Sequence, residues 1–249
     1  MPVWLAAGLW GLLAGGALVL GALVAWRVRV SQPVVASIMA FGAGVLISAL
    51  SFDLVDEAET TGGLGPTVVG FLLGALAYVG ANLVLNRRGA RHRKRSGEQQ
   101  PSEEEQSGSG AAIAVGALLD GVPESVVLGL SLLGGNGVGV PVLAAIFISN
   151  LPEGLSSAAG MKRNGRSATY VFGVWIAIAV ASGLAGLLGC LLLQGAPDAT
   201  IALITAVAAG AILAMVSDTM IPEAFEQAHL FAGLIATLGF IVAFTIERA

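Results

Sequence analysis

Residues 111–133 read AAIAVGALLDGVPESVVLGLSLL. The stretch carries no Lys or Arg, and its apolar residues run all round rather than along one stripe. About 20 such residues cross the hydrocarbon of a bilayer as a helix. A membrane strand would alternate over about 10 residues instead. Yet this run also holds Asp120 and Glu124, four apart and so on one helical face, with Pro123 between them. An ionisable side chain inside lipid is expensive and by default marks a function.

Seven further apolar runs surround it, at 4–26, 33–55, 64–86, 139–161, 168–193, 199–221 and 229–247. Of 249 residues, 56% are hydrophobic and 11% charged, where a soluble domain carries about 25% charge. The chain is therefore expected to be an all-α polytopic membrane protein: eight transmembrane helices in a single domain over 1–249. The first run has no basic residue ahead of it and no clear small-residue cleavage site, so it reads as a retained helix. Cys190 is the one cysteine, which excludes a disulfide framework, a Cys-based metal cage and a CxxC redox pair. The 35 glycines suit close helix packing in lipid and permit a homodimer without requiring one.

Orientation follows from the basic residues. Arg27 and Arg29 lie between spans one and two, Arg87, Arg88, Arg91, Arg93, Lys94 and Arg95 between three and four, and Lys162, Arg163 and Arg166 between five and six. Only Arg248 lies elsewhere. The positive-inside rule makes that side cytoplasmic and puts both termini outside. Short loops and no targeting segment point to a bacterial plasma membrane. The basic cluster is confined to one loop, which excludes a nucleic-acid-binding face. In that loop, 87–110, basic residues give way to Glu98, Glu103, Glu104, Glu105 and SGSG. Such a composition predicts a disordered cytoplasmic segment, with contact to anionic membrane lipid as a secondary role.

Polar residues recur inside four spans. Span two ends in SFDLVDEAE, with Asp53, Asp56 and Glu57. Span five reads FISNLPEGLSSA, with Ser149, Asn150 and Glu153, and span seven reads MVSDTMIPEAFE, with Asp218 and Glu223. Asp120 with Glu124, and Ser149 with Glu153, each present two ligands on one face. Pro-Glu occurs at Pro123, Pro152 and Pro222. Each proline frees a carbonyl four residues back, at Leu119, Ile148 and Asp218. Side-chain and backbone oxygens then share one depth, as at the ion sites of broken transporter helices. Oxygen ligands with clustered carboxylates favour divalent cations.

These residues resemble the ZIP (Zrt-, Irt-like) family of metal-ion transporters, here as a divergent bacterial member. That family's fourth and fifth helices carry His-Asn-x-Pro-Glu-Gly and His-x-x-Pro-Glu-Gly type motifs. The counterparts are Asp120-Gly121-Val122-Pro123-Glu124-Ser125 and Ser149-Asn150-Leu151-Pro152-Glu153-Gly154, and the likeness extends to AGVLISALSFDLVDEA in span two and SDTMIPEA in span seven. The resemblance implies a three-two-three helix arrangement with spans four and five as the central pair, and uptake toward the cytoplasm. It implies metal as the transported substrate rather than a prosthetic group. The departures are Asp120 and Ser149 in place of the two histidines, Gly121 in place of the Asn, and Gly186 and Leu187 in place of a Glu-Pro of helix six. Asp218-Thr219 replaces a His-Glu pair of span seven. Such a His-free set differs from the nitrogen and sulfur ligands zinc usually takes and favours one metal over two.

The leading expectation is a divalent-cation transporter and not an enzyme. Its metal ligands would be Glu124, Glu153 and Asp120, with Ser149 and Asn150 completing the shell. Asp53 and Asp218 would flank the path, and Asp56 and Glu57 would attract cations at the outer mouth. A transport-deficient sensor or scaffold is the alternative. An intramembrane aspartyl protease ranks below both, because its Gly-x-Gly-Asp signature is absent.

Overall fold

Glycine and alanine decide how closely the helices of this protein approach. The structure, a computed structural model, describes residues 1–94, 100–101, 104–106, 108–133 and 140–248. Each apolar run is a helix: α1 Val3–Arg27, α2 Gln32–Gly62, α3 Leu64–Ala90, α4 Ser109–Ser131, α5 Val142–Arg163, α6 Ala168–Leu193, α7 Asp198–Glu226 and α8 Phe231–Arg248. All eight are long and apolar enough to cross a membrane. The connections are short where glycine turns the chain: Gly63 alone, at φ 85°, joins α2 to α3.

Two seams show what holds the bundle. Between α2 and α8, a β-carbon built on Gly44 would fall 1.8 Å from the Ala236 carbonyl oxygen, and one on Gly239 would fall 2.1 Å from that of Phe41. Between α3 and α7, Gly74 and Gly210 face the Val207 and Phe71 carbonyls at 1.9 Å in the same way. These backbones touch, and only glycine admits that. Lipid offers helices no hydrophobic reason to associate, so close packing and Cα–H···O contacts supply the attraction.

The inner positions belong to α2 and α5, with α4 and α7 next. Helices α3 and α8 lie outermost and turn Leu72, Leu76, Leu234 and Leu238 outward. The resemblance implied α4 and α5 as the central pair. The structure keeps α5 inside but gives α2 the neighbouring inner place, and α4 meets α5 only slightly while packing on α6 and α7. The reason is the small-residue run of α2. Gly42 lets the backbones close until its β-carbon position lies 3.2 Å from the Ser149 Cα, directly against the polar motif of α5.

Two wide π turns interrupt the inner helices, at Leu50–Leu54 in α2 and Val216–Met220 in α7. They hold Asp53 and Asp218, and π turns are frequent at functional sites. The second ends just before Pro222, where the missing proline N–H would otherwise break the ladder. By contrast, Pro123 and Pro152 sit inside continuous helices.

The segment after α3 departs from the sequence reading. Gly89, at φ 96°, turns the chain back under the bundle. Arg93, Lys94 and Gln100 are then buried, at 1%, 3% and 1% exposure, not spread in solvent as the composition of 87–110 predicts. Arg87, Arg88, Arg91, Glu104 and Glu105 are exposed, and residues 95–99, 102–103 and 107, with Glu98 and Glu103 among them, lie outside the described residues.

Candidate functional site

Helices α4 and α5 bring three carboxylates into the interior. Asp120, Glu124 and Glu153 are all buried, and they lie close enough to act on one another electrostatically. The i, i+4 spacing in α4 places Asp120 and Glu124 on one face, as the sequence requires.

Each carboxylate has a different partner. Asp120 is gripped by the Arg93 guanidinium: Nε donates to Oδ2 at 3.0 Å and Nη2 to Oδ1 at 3.0 Å, while the Tyr78 hydroxyl donates to Oδ1 at 2.8 Å. Arg93 also donates from Nη2 to the Tyr78 oxygen at 2.7 Å, and from Nη1 to Asn82 Oδ1 at 2.8 Å and the Ala90 carbonyl at 3.5 Å. All five guanidinium N–H groups thus face an acceptor. Burial works against the charged guanidinium, but the Asp120 carboxylate, with Tyr78 and Glu153 adding to it, holds the Arg93 pKa above its ordinary value. Lys94 Nζ lies 3.0 Å from Glu153 Oε2 and 3.4 Å from Asp120 Oδ2, bridging two helices. Glu124 has neither: both its oxygens are buried with no hydrogen-bond partner among the described residues.

The other expected site residues divide. Ser149 and Asn150 are buried beside this cluster on α5, and both side chains serve packing. Ser149 donates to the Ile146 carbonyl at 3.0 Å, and Asn150 donates to the Ala14 carbonyl of α1 at 3.0 Å. Asp53 is half-buried at the far end of α2, where its charged neighbours are Glu247, Glu57 and Arg248. Asp218 is exposed on α7. Neither is brought to the three carboxylates. An apolar hollow of about 630 Å³, lined by residues such as Leu9, Leu20, Phe147 and Ile176, lies on α1, α5 and α6 and has no share in the cluster.

A family model described as ZIP zinc transporter matches residues 82–247, about two thirds of the chain. The chain belongs to the ZIP family. It is therefore a multi-pass membrane protein that transports a metal ion; the metal is its substrate and not a prosthetic group. No match was found among curated proteins.

In this ZIP protein the sequence reading missed half of the site. Tyr78 and Asn82 had a usable signal: they are polar, four apart, and deep in an apolar run, so they share a face. Arg93 and Lys94 had none, because a basic stretch between two spans reads as a topological signal. Among the described residues, no three His, Cys, Asp or Glu side chains are arranged to hold a metal ion. Arg93 and Lys94 instead occupy the oxygens of Asp120 and Glu153.

Proposed function

We propose that this ZIP protein carries a divalent metal ion across the cell membrane toward the cytoplasm, through a site on α4 and α5 whose core ligands are Glu124 and Glu153. Asp120 lies beside them, and Ser149 and Asn150 lend oxygens from the adjoining turn. Glu124 carries this reading. Taking a carboxylate out of water costs several kcal/mol unless a counter-charge repays it, and Glu124 is 1% exposed with no partner among the described residues. Such an arrangement is maintained where a cation arrives during the working cycle.

Charge counting supports a divalent ion. Among the described residues, Asp120, Glu124 and Glu153, counted as ionised, stand against Arg93 and Lys94, a formal charge of −1 for these five groups, and Glu223 is buried nearby, 3.4 Å from the Ser156 hydroxyl. Exchanging the Lys94 ammonium for a divalent ion makes that formal charge zero. Asp53, Asp56 and Glu57 would draw cations to the outer end of α2 by their local field. The basic residues of the loops on the opposite side support the placing of both termini outside, and the family resemblance supports the inward direction.

The test is metal flux into liposomes holding the purified protein, with Zn²⁺, Mn²⁺, Fe²⁺, Cd²⁺, Co²⁺ and Mg²⁺ run beside Glu124→Ala and Glu153→Ala. Flux of at least one ion, lost in both variants, is the expected result. A second reading, a sensor or scaffold that has given up transport, is favoured by the two cations among the carboxylates. It predicts no flux of any ion from folded, correctly oriented protein.

A further inference from the structure

We infer that Arg93 and Lys94 form an internal plug, in which Arg93 is the anchor and the Lys94 ammonium stands in the place the transported ion takes. The inference rests on the proposed transport site, and it assigns that site an autoinhibitory contact made by the protein's own loop.

The two cations are held very differently. The five Arg93 donors are all engaged, with a two-point grip on Asp120 and further bonds to Tyr78 and Asn82 of α3. Planar two-point pairing of this kind is strong and geometrically specific. The bundle also makes room for it: a β-carbon on Gly116, one turn before Asp120, would fall 2.5 Å from Arg93 Cδ. Among the described residues, Lys94 has two carboxylates as partners, at 3.0 and 3.4 Å. Its ammonium is a compact charge on a flexible stem, between oxygens of Asp120 and Glu153 and within electrostatic reach of Glu124.

The main chain seats the plug in α5. The Ser157 hydroxyl donates to the Arg93 carbonyl and the Ser156 hydroxyl to the Lys94 carbonyl. Gln100 Nε2 donates to the Arg93 carbonyl at 3.0 Å and the Ser157 carbonyl at 3.2 Å, tying loop to helix. Ser156 and Ser157 lie in the turn that follows Glu153, on the way from the cluster to the basic side of the bundle. The plug therefore fills the route by which an ion would leave. Metal binding between Glu124 and Glu153 displaces Lys94 first, while Arg93 keeps Asp120.

The chain has two lysines, Lys94 and Lys162, and Lys162 is exposed, so the unmodified protein supplies its own control. Purified protein is reductively methylated with and without saturating Zn²⁺ or Mn²⁺, and both lysines are quantified by mass spectrometry. Without metal, Lys94 reacts at least about tenfold more slowly than Lys162, because a buried amine must first be released. With a transported ion, the Lys94 rate rises severalfold and the Lys162 rate does not. In parallel, Lys94→Met raises the initial flux in liposomes severalfold. Equal labelling of the two lysines without metal, or a Lys94 rate unmoved by an ion the protein transports, overturns the plug and leaves the transport site standing. Unchanged or lower flux in Lys94→Met also overturns it. If neither the wild type nor Lys94→Met moves any ion, the transport reading falls and the plug with it; flux gained only in Lys94→Met supports both.

Discussion

Replacing Arg93 by Met removes the guanidinium and keeps most of the side chain's length. Asp120 is then left buried, at 2% exposure, with the Tyr78 hydroxyl and the Lys94 ammonium, 3.4 Å from Oδ2, as its remaining partners. Breaking a buried ion pair by removing one partner costs about 3–5 kcal/mol when the surviving charge loses its compensation, and because Lys94 keeps part of it the lower end, about 3 kcal/mol, is expected. An exposed pair would cost under about 1 kcal/mol. The solvated loop that the composition of 87–110 predicts and the buried anchor seen in the structure thus give separable numbers. The assay is unfolding of the purified protein in detergent, comparing Arg93→Met, Asp120→Asn and the double variant. The double variant recovers most of the loss, because the amide that replaces the carboxylate carries no charge to leave unpaired and can still accept from Tyr78. A loss under about 1 kcal/mol in Arg93→Met, or a double variant no more stable than the single one, refutes the reasoning.

Three other outcomes follow from the same geometry. Glu124→Gln abolishes metal flux while raising the unfolding midpoint, by about 1–2 kcal/mol in stability, since it removes a buried charge with no partner; thermal unfolding beside liposome flux checks both halves. Tyr78→Phe removes a hydroxyl that donates to Asp120 and accepts from Arg93, and costs about 1–3 kcal/mol in the same unfolding assay. Gly74→Leu drives a side chain into the Val207 carbonyl and destabilises the α3–α7 seam by about 1–3 kcal/mol or more, read as a lower midpoint with flux per folded molecule reduced as well.

Much of the fold was legible because lipid is an unforgiving solvent. Each span must satisfy its own backbone and be apolar for about 20 residues, and the eight runs say so before any packing is considered. Glu124 and Glu153 were legible for the same reason, since a carboxylate in such a run has no bland explanation. The π turns at Leu50–Leu54 and Val216–Met220 were not, because a one-residue widening of a helix leaves no mark on hydropathy. Ser149 and Asn150 carried a polar signal that turned out to include helix packing: a hydroxyl or amide in lipid is useful for bonds to a neighbouring carbonyl as well as to an ion.

The sequence by itself determined the class, the number of crossings, the side that carries the basic residues and the helices that bear the carboxylates. All of these depend on the transfer of individual residues between water and hydrocarbon, a property each residue has before the chain folds. The tertiary structure alone decided that α2 shares the inner position with α5, that Asp53 and Asp218 stand apart from the cluster, and that Arg93 and Lys94 enter it. Those outcomes depend on which backbones can touch and which buried charge finds its counter-charge. Asp120 and Arg93 are 27 residues apart in sequence and 3.0 Å apart in space, and no local pattern encodes that meeting.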